Sequence, residues 1–159
     1  MKNFFIGYLI LCICSYPFIV SHSIYMILFE SFLYGIAYKD YTSYYVNYYF
    51  IPVSILFLIF SPFHTYFSIL SGLFGCVGLY FYKKKGLGSM DVYFLFYFGL
   101  YLGYERMVVA IGISTILGIL YGCIKKEKLI PYVSCLSIGV WISLLKGYTL
   151  YSLLFHSWI

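Results

Sequence analysis

The stretch "KKKGLGSMDVYFLF", Lys83 to Phe96, brings three lysines, two glycines and one carboxylate directly before an apolar run. Lysines mark the loops of membrane proteins that stay in the cytoplasm, and an apolar run after them indicates a helix that enters the bilayer. The stretch therefore predicts the boundary between a cytoplasmic loop and a membrane helix. It also puts Asp91 at the start of that helix, where a carboxylate needs an explanation.

The composition extends this interpretation to the whole chain. Of its 159 residues, 64% are hydrophobic and only 9% are charged. Such a composition predicts an integral membrane protein, with the lipid bilayer as its surroundings, and excludes a soluble domain with a polar surface. The net charge of +5 comes from short basic clusters between apolar segments, which indicates membrane topology and no nucleic-acid partner.

Apolar segments bounded by charges or turn residues recur along the sequence. They predict an all-α bundle of six or seven transmembrane helices that forms one domain over residues 1–159. We expect the tail after Lys146 to complete a tilted last helix or to lie in the outer interface. The segments run from Phe4 to Val20, Ile24 to Tyr38, Val46 to Phe60, Tyr66 to Tyr82, Val92 to Leu102, Met107 to Ile124 and Leu129 to Leu145.

The positive charges predict the orientation of the bundle. If the segments alternate in direction, only Arg106 and Lys146 among the 10 Lys and Arg residues fall on the minority face. The majority face is therefore expected to be cytoplasmic. Its predicted loops are Lys39 to about Tyr45, Lys83 to Met90 and Lys125 to Lys128, and the outer turns lie near Ser21, Ser61 to His64 and Tyr104 to Glu105.

The cysteines and histidines predict neither a disulfide framework nor a metal site. The five cysteines are odd in number, and none forms a C-x-x-C pair or a zinc-ligand spacing. His22, His64 and His156 fall on or near the predicted outer side. We therefore expect no metal and no cofactor, which leaves the carboxylates as candidates for chemistry.

Asp40 and Asp91 are predicted to lie on the same, cytoplasmic side. Asp40 follows the second segment and Asp91 opens the fifth, so an antiparallel bundle can bring the two carboxylates face to face. When two carboxyls share a site, one tends to keep a proton while the other stays charged, and such a pair activates water and polarises a carbonyl. The simpler interpretation is that each carboxylate caps a helix or neutralises a lysine.

Glu30 is predicted to lie deeper, near the middle of the second segment. On a helix it would be about 15 Å from Asp40, which is too far to join the same site. An intramembrane carboxyl is a functional candidate by default. We favour a structural role for it, as a protonated or hydrogen-bonded group with a neighbouring Tyr or Ser.

The loop "KGLGSMD" resembles the G-x-G-D signature of type IV prepilin peptidases, a family of membrane aspartic peptidases. Gly88, Ser89 and Asp91 match that pattern, whereas Met90 stands where the second glycine is usual. The stretch "YKDYTSYYVN" resembles the family's first aspartate region and carries the catalytic role onto Asp40.

A third stretch, "IPYVSCLSIG", resembles a proline-containing stretch from the last part of these enzymes. It matches at Pro131, Leu136 and Gly139, with Ser134 and Cys135 in place of a second Pro-Phe. The similarity covers about Gly35 to Leu145 in the expected order. It is a resemblance to the short form of the family, because the paired C-x-x-C motifs of the methylation domain are missing.

The resemblance implies an aspartic endopeptidase of the plasma membrane that removes the leader peptide from prepilin or pseudopilin precursors at the cytoplasmic face. Asp40 and Asp91 would be catalytic, and Gly88 and Ser89 would position the loop and the substrate. If the loop bends tightly, Met90→Gly should be tolerated or beneficial, and Gly88→Val should be harmful because it forbids backbone angles that glycine allows.

Three alternatives stay open. A lipoprotein signal peptidase is similar in size and chemistry, but its N-x-x-D-R and N-x-A-D patterns are missing, and the P-A-L motif of presenilin-type proteases is missing too. A non-enzymatic scaffold or transporter subunit would use the aspartates only as helix caps. Aspartates that face one water-accessible cleft would favour the peptidase, and aspartates on opposite flanks of the bundle would favour the scaffold.

Overall fold

The computed structural model describes Gly7 and residues 24–60, 68–84, 86–126 and 129–155, without the side chains of residues 68–73. Over these residues the protein is all-helical, which confirms the predicted all-α class. The predicted first segment, apart from Gly7, and the outer turns near Ser21 and Ser61 lie outside the described residues. The helices are α1 (Ile24–Ser43), α2 (Phe50–Ile59), α3 (Ser68–Lys83), α4 (Ser89–Leu102), α5 (Tyr104–Lys125) and α6 (Tyr132–Phe155).

Two of the described helices, α5 and α6, are long and apolar enough to cross a membrane. They contain 22 and 24 residues, and at about 1.5 Å per residue each exceeds the roughly 30 Å of a hydrocarbon core. Unlike the core helix of a soluble protein, α5 leaves a large apolar surface uncovered by the described chain: Ile116 is 61% exposed and Ile124 is 77% exposed. The predicted total of six or seven spans stays a prediction, since α2 and α4 have only 10 and 14 residues.

Helix α1 extends further than the sequence predicts, and Asp40 therefore lies in its last turns rather than in a loop. The hydroxyl of Thr42 donates to the carbonyl of Tyr38 at 2.9 Å, and that of Ser43 donates to the carbonyl of Lys39 at 2.8 Å. Ser and Thr side chains commonly bond in this way to a carbonyl one turn earlier in a helix. The polar residues that suggested a loop thus end the helix instead.

The bounds of α2 and α6 also differ from the predicted segments. Helix α2 begins only at Phe50 and carries Pro52 in its first turn, where a missing N–H costs no helical hydrogen bond. Helix α6 continues through Lys146 to Phe155. Residues 147–155 of the tail thus complete the last helix, and residues 156–159 lie outside the described residues.

A single residue, Gly103, connects α4 to α5. Its φ of 78° lies in the region that favours glycine, and its N–H donates to the carbonyl of Gly99 at 3.1 Å, which ends α4. The predicted outer turn at Tyr104 and Glu105 is therefore one residue late, because these two residues already form the first turn of α5.

The packing of α6 holds α1 and α5 in one bundle. Helix α6 packs against both α5 and α1, and α3 packs against α4. The core between α1, α4 and α6 is rich in aromatic side chains, with Phe29 stacked on Tyr101 at a centroid distance of 4.1 Å and with Phe94 and Phe98 fully buried. This core fixes the end of α1 relative to the start of α4.

Candidate active site

A cleft of about 620 Å³ opens at the end of the bundle where α1, α3 and α5 end and where α4 and α6 begin. Asp40 and Asp91 both line it, although they are distant in sequence. The arrangement is the one that favours a shared site over aspartates on opposite flanks. Other lining residues include Tyr44, Gly88, Ser114, Thr115, Gly118 and Tyr132.

The Asp40 carboxylate is held by the N-terminus of α6. The residue is only 4% exposed, and its Oδ2 accepts hydrogen bonds from the backbone N–H of Ser134 at 2.8 Å and from the Ser134 hydroxyl at 2.9 Å. Pro131, directly before α6, has no side-chain acceptor for the first N–H groups of the helix. Asp40 therefore caps α6 from another helix, where the positive end of the helix dipole favours a carboxylate.

The Asp91 carboxylate is half-buried and belongs to the first turn of α4. Its Oδ2 accepts a hydrogen bond from the backbone N–H of Gly88 at 2.7 Å. This bond is the acidic half of a capping box, which fixes the loop against the start of the helix. Within the described residues, Asp91 thus has one local donor, whereas Asp40 has donors from a distant helix.

The protein raises the pKa of both carboxyls, which lie near helix ends and outside the two candidate spans. Burial is the main cause of the raised pKa in each case, because desolvation disfavours the charged form. Hydrogen bonds from Ser134 oppose the rise at Asp40, and the hydrogen bond from Gly88 opposes it at Asp91. The charge of Asp40 further raises the pKa of Asp91, as the smallest of the causes.

The predicted role of Gly88 and Ser89 in positioning the loop and the substrate stays a prediction, but the reason given for the glycine does not hold. Gly88 has φ −78° and ψ 163°, an extended conformation open to any residue, so the backbone-angle explanation for glycine is wrong. An added Cβ at Gly88 would instead lie 3.2 Å from Oδ2 of Asp91. Ser89 is the exposed first residue of α4 and lies beside the cleft.

Met90 does not interrupt a tight loop, because it lies inside α4 and is only 7% exposed. We expect Met90→Gly to lower the free energy of unfolding by about 2–5 kcal/mol, since comparable losses of buried side chains cost that much, and glycine weakens the helix as well. Thermal unfolding in detergent measures the effect. The matched control is Ser89→Gly at the exposed neighbouring position, and equal melting temperatures for the two variants would contradict this role of Met90.

The sequence does not predict Ser134 as a hydrogen-bond donor to Asp40. A signal was present: Pro131 cannot cap α6 by its side chain, so the first N–H groups of that helix need an acceptor from elsewhere. The identity of the acceptor depends on the packing of α1 against α6. Spacing along the chain does not contain that information.

Tyr44 was also missed, although it lines the cleft. Its φ of 51° is unusual for a residue other than glycine. Its hydroxyl lies 2.8 Å from the hydroxyl of Tyr121, near the end of α5. The pair connects the segment after α1 to α5 beside the cleft.

Glu30 is buried, with 2% of its surface exposed, and is not among the residues that line the cleft. The indole Nε1 of Trp141 donates to its Oε1 at 3.3 Å. The sequence predicted a hydrogen-bonded structural carboxyl but did not anticipate Trp141 as a donor. The position of Glu30 agrees with that structural role.

No protein-family model, curated protein or solved structure matches the chain. Among the described residues, no group of three or more His, Cys, Asp and Glu side chains is arranged to hold a metal ion. The functional interpretation therefore depends on the geometry around Asp40 and Asp91 and on the sequence stretches that resemble prepilin peptidases.

Proposed function

We propose that the protein is a membrane aspartic endopeptidase that removes the leader peptide from prepilin or pseudopilin precursors. The observation that carries the proposal is that Asp40 and Asp91, from distant parts of the chain, line one cleft at one end of an apolar bundle. The substrate class comes from the resemblance of the two aspartate-containing stretches to prepilin peptidases. The chemistry requires only the two carboxyls and water.

In this mechanism the pair shares one proton. The oxygen of a water molecule attacks the scissile carbonyl carbon while the ionised carboxylate accepts a proton from that water. The protonated carboxyl donates its proton to the carbonyl oxygen. Each carboxylate has one oxygen fixed by a backbone N–H, from Ser134 for Asp40 and from Gly88 for Asp91. Fixed carboxylates reduce the reorganisation that the reaction requires.

The distribution of lysines supports an active site at the cytoplasmic face. The described lysines other than Lys146 lie close to the ends of α1, α3 and α5, at the same end of the bundle as the cleft. Arg106 lies instead in the first turn of α5. Because positive residues concentrate on the cytoplasmic side of membrane proteins, the cleft faces the cytoplasm and the protein is a multi-pass protein of the plasma membrane.

A non-enzymatic scaffold or transporter subunit is the second candidate, and one observation favours it. Both aspartates act as helix caps, Asp91 toward Gly88 and Asp40 toward Ser134. A scaffold requires nothing more from them. The two candidates differ in what an amide does, because Asn retains an acceptor oxygen for the cap but cannot exchange the proton that activates water.

Co-expression with tagged prepilin-like precursors encoded in the same genome tests the proposed function. We expect a mobility shift of a precursor, and mass spectrometry should find the new N-terminus just after a glycine on the cytoplasmic side of the precursor's hydrophobic helix. The same precursor with that glycine replaced by valine is the matched control. A tagged lipoprotein precursor tests the signal-peptidase alternative, and no processing of any precursor at normal protein abundance would favour the scaffold.

A further inference from the structure

We infer that the two carboxyls have fixed and unequal roles: Ser134 positions Asp40 as the ionised member of the pair, and Asp91 carries the shared proton. The inference rests on the proposed function and adds to it the identity of the base and of the acid. Ser134 would be a positioning residue, because it acts through Asp40 and not on the substrate.

The contacts of Asp40 favour its charged form. Ser134 is 6% exposed, and both its N–H and its hydroxyl lie within hydrogen-bonding distance of the same oxygen, Oδ2 of Asp40. A backbone N–H can only donate, so it stabilises a carboxylate more than a protonated carboxyl. The hydroxyl of Ser134 has one proton and two acceptors in reach, the carbonyl oxygen of Ala37 at 2.8 Å and Oδ2 of Asp40 at 2.9 Å. A charged carboxylate is the stronger acceptor of the two.

The described part of the chain gives Asp91 fewer contacts. There its Oδ2 has one donor, the N–H of Gly88, and the charge on Asp40 opposes a second charge in the same cleft. Asp40 is the more buried of the two carboxyls, and burial taken alone would favour the proton on Asp40. The number and kind of donors act in the opposite direction, and we infer that they outweigh burial and leave Asp91 as the member that keeps the proton.

Among the residues that the structure describes, the other titratable side chains near the pair do not change this order. From α6 these are the phenol of Tyr132 and the thiol of Cys135, and after α1 it is the phenol of Tyr44. All three are uncharged near neutral pH. The part of α5 that lines the cleft is uncharged as well, since it consists of Ser114, Thr115, Gly118 and Ile119.

The roles give a balanced reaction. Water adds its oxygen to the carbonyl carbon and its proton to Asp40, while Asp91 gives its proton to the carbonyl oxygen, which forms a gem-diol. When the C–N bond breaks, the leaving amine takes the proton from Asp40, and one hydroxyl of the gem-diol returns a proton to Asp91. The products are a carboxylic acid and an amine, and both carboxyls are back in their starting states.

The pH profile of leader cleavage tests the role of Ser134. In Ser134→Ala, Asp40 loses a donor to its charged form, so its pKa rises and the acid limb of the profile should move upward by about one pH unit, with kcat lowered and KM unchanged. Ser134→Thr keeps the hydroxyl and should restore the original profile. The matched control is Ser137→Ala, a serine that is also buried in α6 but has no hydrogen-bond partner among the described residues, and it should not move the acid limb.

A second measurement does not depend on cleavage. The chain contains only two aspartates, so ¹³C-aspartate labelling of Asp91→Asn or of Asp40→Asn reports a single carboxyl by NMR in detergent. We expect Asp40 to titrate at lower pH than Asp91, and Ser134→Ala in the Asp91→Asn protein to raise the midpoint of Asp40. The reverse order, or no change with Ser134→Ala, would overturn the inference. The expected order without cleavage of any precursor would instead count against the proposed function.

Discussion

Asp40→Asn and Asp91→Asn should each abolish leader cleavage and leave the protein in the membrane at normal abundance. The amide matches the carboxylate in size and keeps an acceptor oxygen for the N–H of Ser134 or Gly88. It cannot exchange the proton that activates water, and loss of general acid–base catalysis costs about 10²- to 10⁴-fold in rate. The double variant should be no worse than either single variant, because groups that act as a unit lose their contribution together.

Glu30→Gln is the matched control for this pair of variants. It replaces another buried carboxyl by an amide and keeps an acceptor for the indole of Trp141, but it lies outside the cleft lining. It should retain substantial activity. The assay is processing of a tagged precursor in isolated membranes, normalised to each variant's abundance by immunoblot, and cleavage that persists in either Asp variant would refute the shared site.

Stability measurements on the same variants separate the capping role from the catalytic role. Asp40→Asn removes a charge from the N-terminus of α6, and loss of a favourable cap or dipole interaction costs about 0.5–2 kcal/mol. The scaffold candidate predicts this modest loss and nothing else. The peptidase predicts a loss of activity far larger than the change in stability.

The pairing of Asp40 with Asp91 could be predicted from the sequence because it depends on few facts. Lysine clusters and apolar segments identify the ends of helices, and alternation brings the end of one helix near the start of another. Such features are local or periodic, and they determine the fold class as well. The number of spans is harder to predict, because the apolar segment from Val46 to Phe60 yields a helix of only 10 residues.

The details of the site could not be predicted, because they depend on contacts between helices. Ser134 reaches Asp40 only because α6 packs against α1. The sequence predicts a bent loop that contains Gly88 and Met90, but the helix starts at Ser89, which makes Met90 a core residue and leaves Gly88 extended. The helix starts three residues before the predicted Val92, and this difference reverses the expected effect of Met90→Gly.

Gly139→Val should destabilise the protein strongly and lower its abundance in the membrane. Gly139 is buried in α6 where that helix meets α5, and an added Cβ would meet the carbonyl oxygen of Ala110 and lie 3.1 Å from its carbonyl carbon. Backbone atoms cannot rotate aside as a side chain can, so α5 and α6 would have to separate. Small residues allow such close approach between membrane helices, and overpacking costs about 1–3 kcal/mol or more.

Gly112→Ala is the matched control, because an added Cβ at Gly112 meets nothing within 4 Å. Gly112 is an exposed residue of α5, and alanine there should stabilise the helix by up to about 1 kcal/mol. Melting temperature in detergent and abundance in membranes measure both variants, with Gly139→Ala as a milder form of the test. Gly139 does not line the cleft, so activity per folded molecule should fall less than abundance does. Equal melting temperatures for Gly139→Val and Gly112→Ala would mean that α5 and α6 do not approach each other at this glycine.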